Sequence, residues 1–522
     1  MKNMTKRTVS LISAILLCAG STVSAFAEAG QDLYLRGDIN RDGAVTVEDA
    51  QLGLIAYTNQ VAKKPTGLND LQMLAVNVLS DGAFDLLDVQ CILKYYVENN
   101  VSKRNVSWDQ VTGRDQLTVP DTGDELVISV INDNADVRIM IEQFVERHPE
   151  YRNRIRMEVL SQPDENGYSN YSVEDFENYL ASSPDPDIFC LSCSIMFNSL
   201  NNDAISLPVS ALGFKESDFA NMYPYTLEAG TSLNGDLKAL TPTASPCGFA
   251  YRTDLAEKYL GVKTPDEMQK LIGTWEGFEK TAKTVHDKSD GKTAFCDEWE
   301  GFVRAASCNL TEPWLNAQNE TVIPESMKQT AERYVSFAKN GYFSDCRRDD
   351  EKWTQTVQSD ALFGFFALSV RLPEDIMLFI YSCGEDSDYY GKFNLVQGPS
   401  AFNWPVDYLL VSQHCDNKAL AYQFLNEFTV KEDTMTEFCQ STCNVTNNSA
   451  VMKKLAASDE GCEVFGGQKI VSLLDEIAAA SHTPKEYSQS CSFKPDDFMN
   501  YVENAVLNND PLDECYRQFC CK

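Results

Sequence analysis

The chain has 522 residues, with 77 Asp and Glu against 44 Lys and Arg and a formal charge of −33 at pH 7. That excess of negative charge repels nucleic acid and anionic lipid surfaces and excludes both as partners, while cations and neutral ligands remain compatible. With 43% hydrophobic residues, the length supports more than one core, so several folded units are expected.

Residues 1–27 read as a secretory signal. Lys2, Lys6 and Arg7 form the positive start, VSLISAILLCAG is the apolar stretch, and SAFA ending at Ala27 is the cleavage signature. The apolar run is too short for a good membrane span, and no second long one follows, so a secreted, extracellular chain without membrane insertion is expected. Cys18 raises a lipid anchor, but Leu16 and Leu17 precede it where a small residue is wanted.

Next comes GDINRDGAVTVEDAQLGLIAY, residues 37–57. Counting twelve positions from Asp38 puts side-chain oxygens at Asp38, Asn40, Asp42, Thr46 and Asp49, with Gly43 at position six. A hard cation takes six to eight oxygens, and the bend that gathers them needs a residue tolerant of positive φ at position six. Position twelve is Asp, where an EF-hand has Glu, and the segment before Asp38 is too short for a first helix. A second copy begins 39 residues later with Asn77, Leu79, Asp81, Gly82, Asp85 and Asp88. Val89, Ile92, Leu93 and Tyr96 then follow at helical spacing. Leu79 offers no side-chain oxygen, so the second loop should bind calcium more weakly or not at all. This duplicated loop-helix over residues 33–100 resembles a dockerin. The resemblance implies Ca2+ as cofactor, a cohesin module of a scaffold protein as partner, and a cellulosome-associated or cell-surface location.

Residues 101–124 are polar and turn-rich without periodicity, which predicts a linker. The chain has seventeen cysteines, sixteen after signal removal, and in an exported chain an even number points to disulfides. Cys190 with Cys193, Cys439 with Cys443, and Cys515 with Cys520 or Cys521 are neighbours suited to pairing. Structural zinc is the competing reading, but CLSC has no companion motif nearby.

From 125 the pattern changes. ELVISVI (125–131) predicts a buried strand. Val137, Met140, Ile141, Phe144 and Val145 predict a helix ended by His148-Pro149, IRMEVL (155–160) a strand, SVEDFENYLASS (172–183) a helix capped by Ser172, and residues 187–191 a third strand. Strand alternating with helix predicts an α/β unit with a parallel sheet. Further on, CGFAYRTDLAEKYLG (247–261), TPDEMQKLIGTWEGFEKTAKTV (264–285) and NWPVDYLLVSQHCDNKALAYQFLNEFT (403–429) occur in that order. With the opening strand, the helix ending in His-Pro and the Pro-Asp before the third strand, residues 125–522 resemble the extracellular solute-binding proteins of carbohydrate ABC transporters. The resemblance implies a two-lobed, periplasmic-binding-protein-like clamp closing over a sugar, with an ABC permease as a further partner. The whole chain is then multidomain: a small all-α calcium-binding pair of repeats followed by an α/β clamp.

A sugar cleft needs a flat aromatic face for the ring and a few polar groups for the hydroxyls. Of the six tryptophans, Trp404 opens the crossing segment where the family places a cleft residue. Trp353 and Trp314 are further aromatic candidates, whereas Trp275 suits a core. Tyr251 ends the first crossing strand, and Asp133, Asn134 and Ser192 follow strands one and three, where parallel-sheet clefts collect ligands. No HExxH, GxSxG, P-loop or GxGxxG occurs, and the four histidines are not paired at metal spacing. A binding protein rather than an enzyme is therefore expected. Two alternatives stay open: a dockerin-bearing glycoside hydrolase, whose carboxylate pair 77 acidic residues would hide, and a non-catalytic adhesion or scaffold component.

Overall fold

The computed structural model describes residues 36–521 apart from 80–83, 114–118, 162–170, 183–185, 298, 309, 311, 313, 315, 317–319, 345, 347–350, 368–386 and 484–493. The expected signal, residues 1–27, lies outside the described residues, and so does Asp81 of the second loop.

The N-terminal module is built on helices α1 (Val47–Val61), α2 (Asp70–Val76) and α3 (Leu86–Tyr96). The residues that end each expected calcium loop also start its helix. Thr46 and Asp49 form a capping box on α1, and Asp85 and Asp88 repeat it on α3, satisfying backbone amides that a helix start leaves orphaned. Ile39, Ala56, Val76, Val89 and Ile92 close the core between α1 and α3. Gly53 permits the approach, since a side chain there would meet Val76, Ile39 and Val89 at 3.2–3.3 Å. The segment after Val101 is less free than its composition predicts. Helix α4 (Trp108–Thr112) folds back so that Trp108 stacks on Tyr95 at 4.1 Å, and the Lys94 amine donates to the Val111 carbonyl at 2.7 Å.

Strands β1 (Leu126–Val130), β2 (Ile155–Val159) and β3 (Ile188–Leu191) alternate with helices α5 (Ala135–Arg147) and α6 (Val173–Ser182), in the predicted order. β1 lies parallel to both β2 and β3. All five β1 residues are buried, as a sheet covered by helices on both faces requires. Helix α7 (Cys193–Leu200) follows β3 directly. β4 (Ser206–Leu207), β5 (Ala239–Leu240) and the late β12 (Tyr408–Ser412) complete this sheet, with β12 antiparallel to β3. The second lobe holds β7 (Pro246–Arg252), β8 (Ala294–Cys296), β9 (Leu362–Ala367), β10 (Phe393–Val396) and β11 (Phe402–Asn403) around an aromatic-rich core. The chain passes between lobes at β6 (Thr243–Ala244), again at residues 403–408, and a third time at β13 (Val445–Thr446), which pairs with β6.

The cysteines correct one expectation. Cys190, Cys193, Cys439, Cys515, Cys520 and Cys521 are free thiols, so none of the neighbouring pairs read from the sequence is bridged. Cys190, Cys193 and Cys439 fill core space as small apolar side chains.

The module is docked on the first lobe. Arg36 donates to Asp236 at 2.5 Å, with both side chains at 5% exposure or less, and also bonds the Val78 carbonyl. Its guanidinium stands over Trp108. Asn77 donates to Asp203 at 3.1 Å, and Asp203 pairs with the buried Lys238. Arg36→Ala leaves the Asp236 carboxylate buried without this guanidinium, a cost of about 3–5 kcal/mol. The module is then expected to come away, seen as a larger radius of gyration in small-angle scattering. An unchanged scattering curve would show that this pair does not hold the dock.

Candidate functional site

Between the lobes lies a cavity of about 270 Å³, walled by the crossing segments. Its first-lobe side follows from β1. After Val130 the chain turns, and Asn134 caps α5 by accepting from the Val137 N–H at 3.0 Å. This cap aims the Asn134 amide at Asp407, which it reaches at 3.1 Å. Two residues later, Asp136 accepts from the Asn444 amide at 2.8 Å. Asp407 precedes β12 and lines the cavity as an exposed residue with protein packed around it. That burial pushes its pKa up, the Asp136 charge adds to the shift, and the Asn134 hydrogen bond opposes it.

The other wall is Trp404. Its backbone N–H donates to the Ser245 carbonyl at 2.9 Å, which ties two crossings together, and Pro405 keeps the segment extended. The indole is half-buried against the second-lobe core and lines two cavities, the large one and a smaller one of about 40 Å³. Arg304 stands 5.3 Å from the ring on the side of the smaller cavity, with Cys193 and Cys308 nearby. Burial pushes the Cys193 thiol up to about 12 and the Cys308 thiol to about 11, so both stay protonated and neither is an activated nucleophile.

Of the residues expected from the sequence, Trp404 and Asn134 meet in the large cavity. Asp133 is exposed and paired with Arg138, and Ser192 occupies the cap position of α7; neither lines the cavity. Tyr251 is 1% exposed in the middle of the second-lobe sheet, stacked on Phe363. Trp353 is 2% exposed, its indole N–H donating to Asp297 at 3.3 Å. The strand and helix carrying them turn these two rings into the core, away from the cavity. Trp314 is buried as well. Asp136, Asp407, Ser245 and Asn444 are the cavity residues that sequence reasoning missed; only Asp407 had a signal, its place three residues after Trp404.

The calcium loops are separate. Asp38 accepts from the Gly43 N–H at 2.8 Å and the Asp42 N–H at 3.1 Å, and Asp49 accepts from Ile39, Asn40 and Thr46 N–H groups at 2.8–3.0 Å. Burial raises the Asp38 pKa; those two amides oppose the shift, and the charges of Asp49 and Asp42 add to it. Negative charge thus converges on one loop with oxygen donors to spare, and Gly43 has the φ of +86° the bend needs. The donor types fit a hard cation. Among the described residues, however, no group of three or more His, Cys, Asp or Glu side chains is already gathered to hold a metal. In the second loop Asp88 accepts from Leu79 and Asp85 N–H groups, and the buried Asn77 Oδ1 has no hydrogen-bond partner among the described residues.

The model of the family described as bacterial extracellular solute-binding protein matches residues 192–461. No curated protein matches the chain. Among solved structures, one described as an extracellular solute-binding protein of family 1 is 14% identical with a TM-score of 0.62, covering 76% of this chain and 98% of its own. The sugar-binding protein MalE of Xanthomonas citri is 12% identical at 0.59, covering 76% and 95%. The galacto-N-biose and lacto-N-biose I-binding protein of a Bifidobacterium longum ABC transporter is 14% identical at 0.53, covering 77% and 96%. At this identity the likeness carries the fold: two α/β lobes joined by crossing strands. Among the described residues, no helix is long and apolar enough to cross a membrane.

Burial raises both the Cys193 and the Cys308 thiol and keeps them in the unreactive protonated form at pH 8. Iodoacetamide should therefore label the exposed Cys520 and Cys521 first and reach Cys193 and Cys308 only after unfolding. Rapid native labelling of either buried thiol, read by mass spectrometry, would contradict the packing.

Proposed function

This chain belongs to the bacterial extracellular solute-binding protein family, and we propose that it captures a carbohydrate, an oligosaccharide, between its two lobes without cleaving it. The observation that carries this reading is the interlobe cavity, where one indole face and a ring of side-chain amides, hydroxyls and carboxylates meet at the crossings. The sugar ring lies on Trp404, and the hydroxyls bond Asn134, Ser245 and Asn444. Closure turns the lobes about the crossings, and the closed form is presented to an ABC permease.

The N-terminal repeats serve as the anchor. They dock to a cohesin on a cellulosome-like scaffold, a role supported by the exposed apolar side chains Ile55 on α1 and Leu87 on α3, at 58% and 55% exposure. Asp38, Asn40, Asp42 and Asp49 hold Ca2+ in the first loop, and Asn77, Asp85 and Asp88 contribute to the second. The ion would supply folding free energy to a module with a small core. A chelator is expected to lower the first unfolding transition of the mature chain, and calcium to restore it. Asp42→Ala should reproduce the loss, and a melting curve indifferent to chelator would remove the ion from the account.

Trp404→Ala should weaken glycan binding by roughly ten- to a hundredfold in calorimetry. Its stability cost should fall below the about 3–5 kcal/mol of a fully buried aromatic, since the ring is only half-buried. A stable variant with undiminished affinity takes Trp404 out of the site. The pair Asp136 and Asp407 is what favours the rival reading, a glycoside hydrolase using two carboxylates. Reducing ends released from a bound glycan, and lost in Asp407→Asn, would establish the hydrolase; binding with no release supports the receptor.

A further inference from the structure

The interlobe cavity carries more negative charge than a neutral sugar calls for. Asp136 and Asp407 both line it, and each is held by a neutral amide, from Asn444 and Asn134 respectively. An amide fixes the direction of a carboxylate but leaves its charge uncompensated. None of the described residues lining the cavity is Lys, Arg or His. The cations on neighbouring elements face elsewhere: Arg138 of α5 is paired with Asp133, and Arg304 lines the smaller cavity beyond Trp404. Two carboxylates of like sign share this one cavity, and a bound cation relieves their mutual repulsion.

We infer that the ligand carries a protonated amine, as an amino-sugar unit with an unacetylated nitrogen does, its ammonium directed at Asp136 and Asp407 and its ring against Trp404. The ring rests on the carbohydrate reading above; the amine rests on the two carboxylates. The aromatic wall suits the same group, because an ammonium beside an indole face gains cation–π attraction. The overall charge of −33 acts in the same direction, drawing cations toward the protein before contact.

The test compares the β-1,4-linked glucosamine dimer with its fully N-acetylated twin, a neutral glycan panel and spermidine, each titrated calorimetrically into the mature full-length chain at low salt. The amine dimer is expected to bind at least tenfold tighter than its acetylated twin, with the preference shrinking as salt rises. Asp407→Asn and Asp136→Asn, which keep the shape and remove the charge, should each cut that preference by tenfold or more while the melting temperature holds. Equal binding of the two dimers, or a preference unchanged in both variants, overturns the amine inference and leaves the carbohydrate reading standing. Tight spermidine binding with no sugar bound does the reverse: it upholds the amine and overturns the carbohydrate reading. Binding of nothing in the set overturns both.

Discussion

The side chain of Asn447 is fully buried and bonds two separate stretches of chain, around Tyr223–Thr226 and at Thr241. Its oxygen accepts from the Tyr223 N–H at 3.1 Å, its amide donates to Thr226 Oγ1 and to the Thr241 carbonyl, and its backbone N–H donates to the Pro242 carbonyl. A buried amide left unpaired is costly, so this set of bonds fixes one arrangement of the first and third crossings. Val445 then pairs with Ala244 and Thr446 with Thr243, and the cavity wall formed by Thr243, Ala244, Asn444 and Val445 takes its shape from that ribbon. The second crossing is tied to the first by the Trp404–Ser245 hydrogen bond. The cavity therefore sits on the crossings themselves, and a ligand bound there would touch all three.

Each lobe keeps its own core, so hinge motion need not break either. The first lobe buries Leu126, Ile128, Val130 and Leu409 beneath α5, and the second packs Phe249, Phe278, Phe295 and Phe366 as a run of edge-to-face and stacked rings. Relative rotation costs mainly the contacts between lobes, among them Tyr223 and Tyr225 packed with Trp353 and Phe365. The N-terminal module is a different case. The Arg36–Asp236 pair fastens it to the hairpin that leads into β5 and the Asn77–Asp203 bond to the turn before β4, so it extends the first lobe.

The elements of the first lobe were legible because helix period and strand length alternate cleanly from Leu126 to Leu191, and the observed ends fall within two residues of those expected. Loop-helix repeats were legible because the same Asp residues serve as expected ligands and as helix caps. Site residues were harder to read. Trp404 stood out through its neighbours, Asn403 and Pro405. Asp136 did not, since one acidic residue among 77 near a helix start reads as a solvated charge. Asn444 contributes only through a third crossing that no local pattern announces. Tyr251 and Trp353 show the opposite limit: aromatic identity says nothing of which face of a strand or helix they occupy. β7 is buried along all seven residues, so its tyrosine points into core on either face.

Hydrogen–deuterium exchange with and without a saturating oligosaccharide tests the central claim, that the crossings form the binding site. The account predicts simultaneous protection of three separated stretches, 134–140, 242–245 and 404–409, together with 444–446, and none over 36–113. Protection confined to the repeats, or to one lobe with the crossings unchanged, would contradict it.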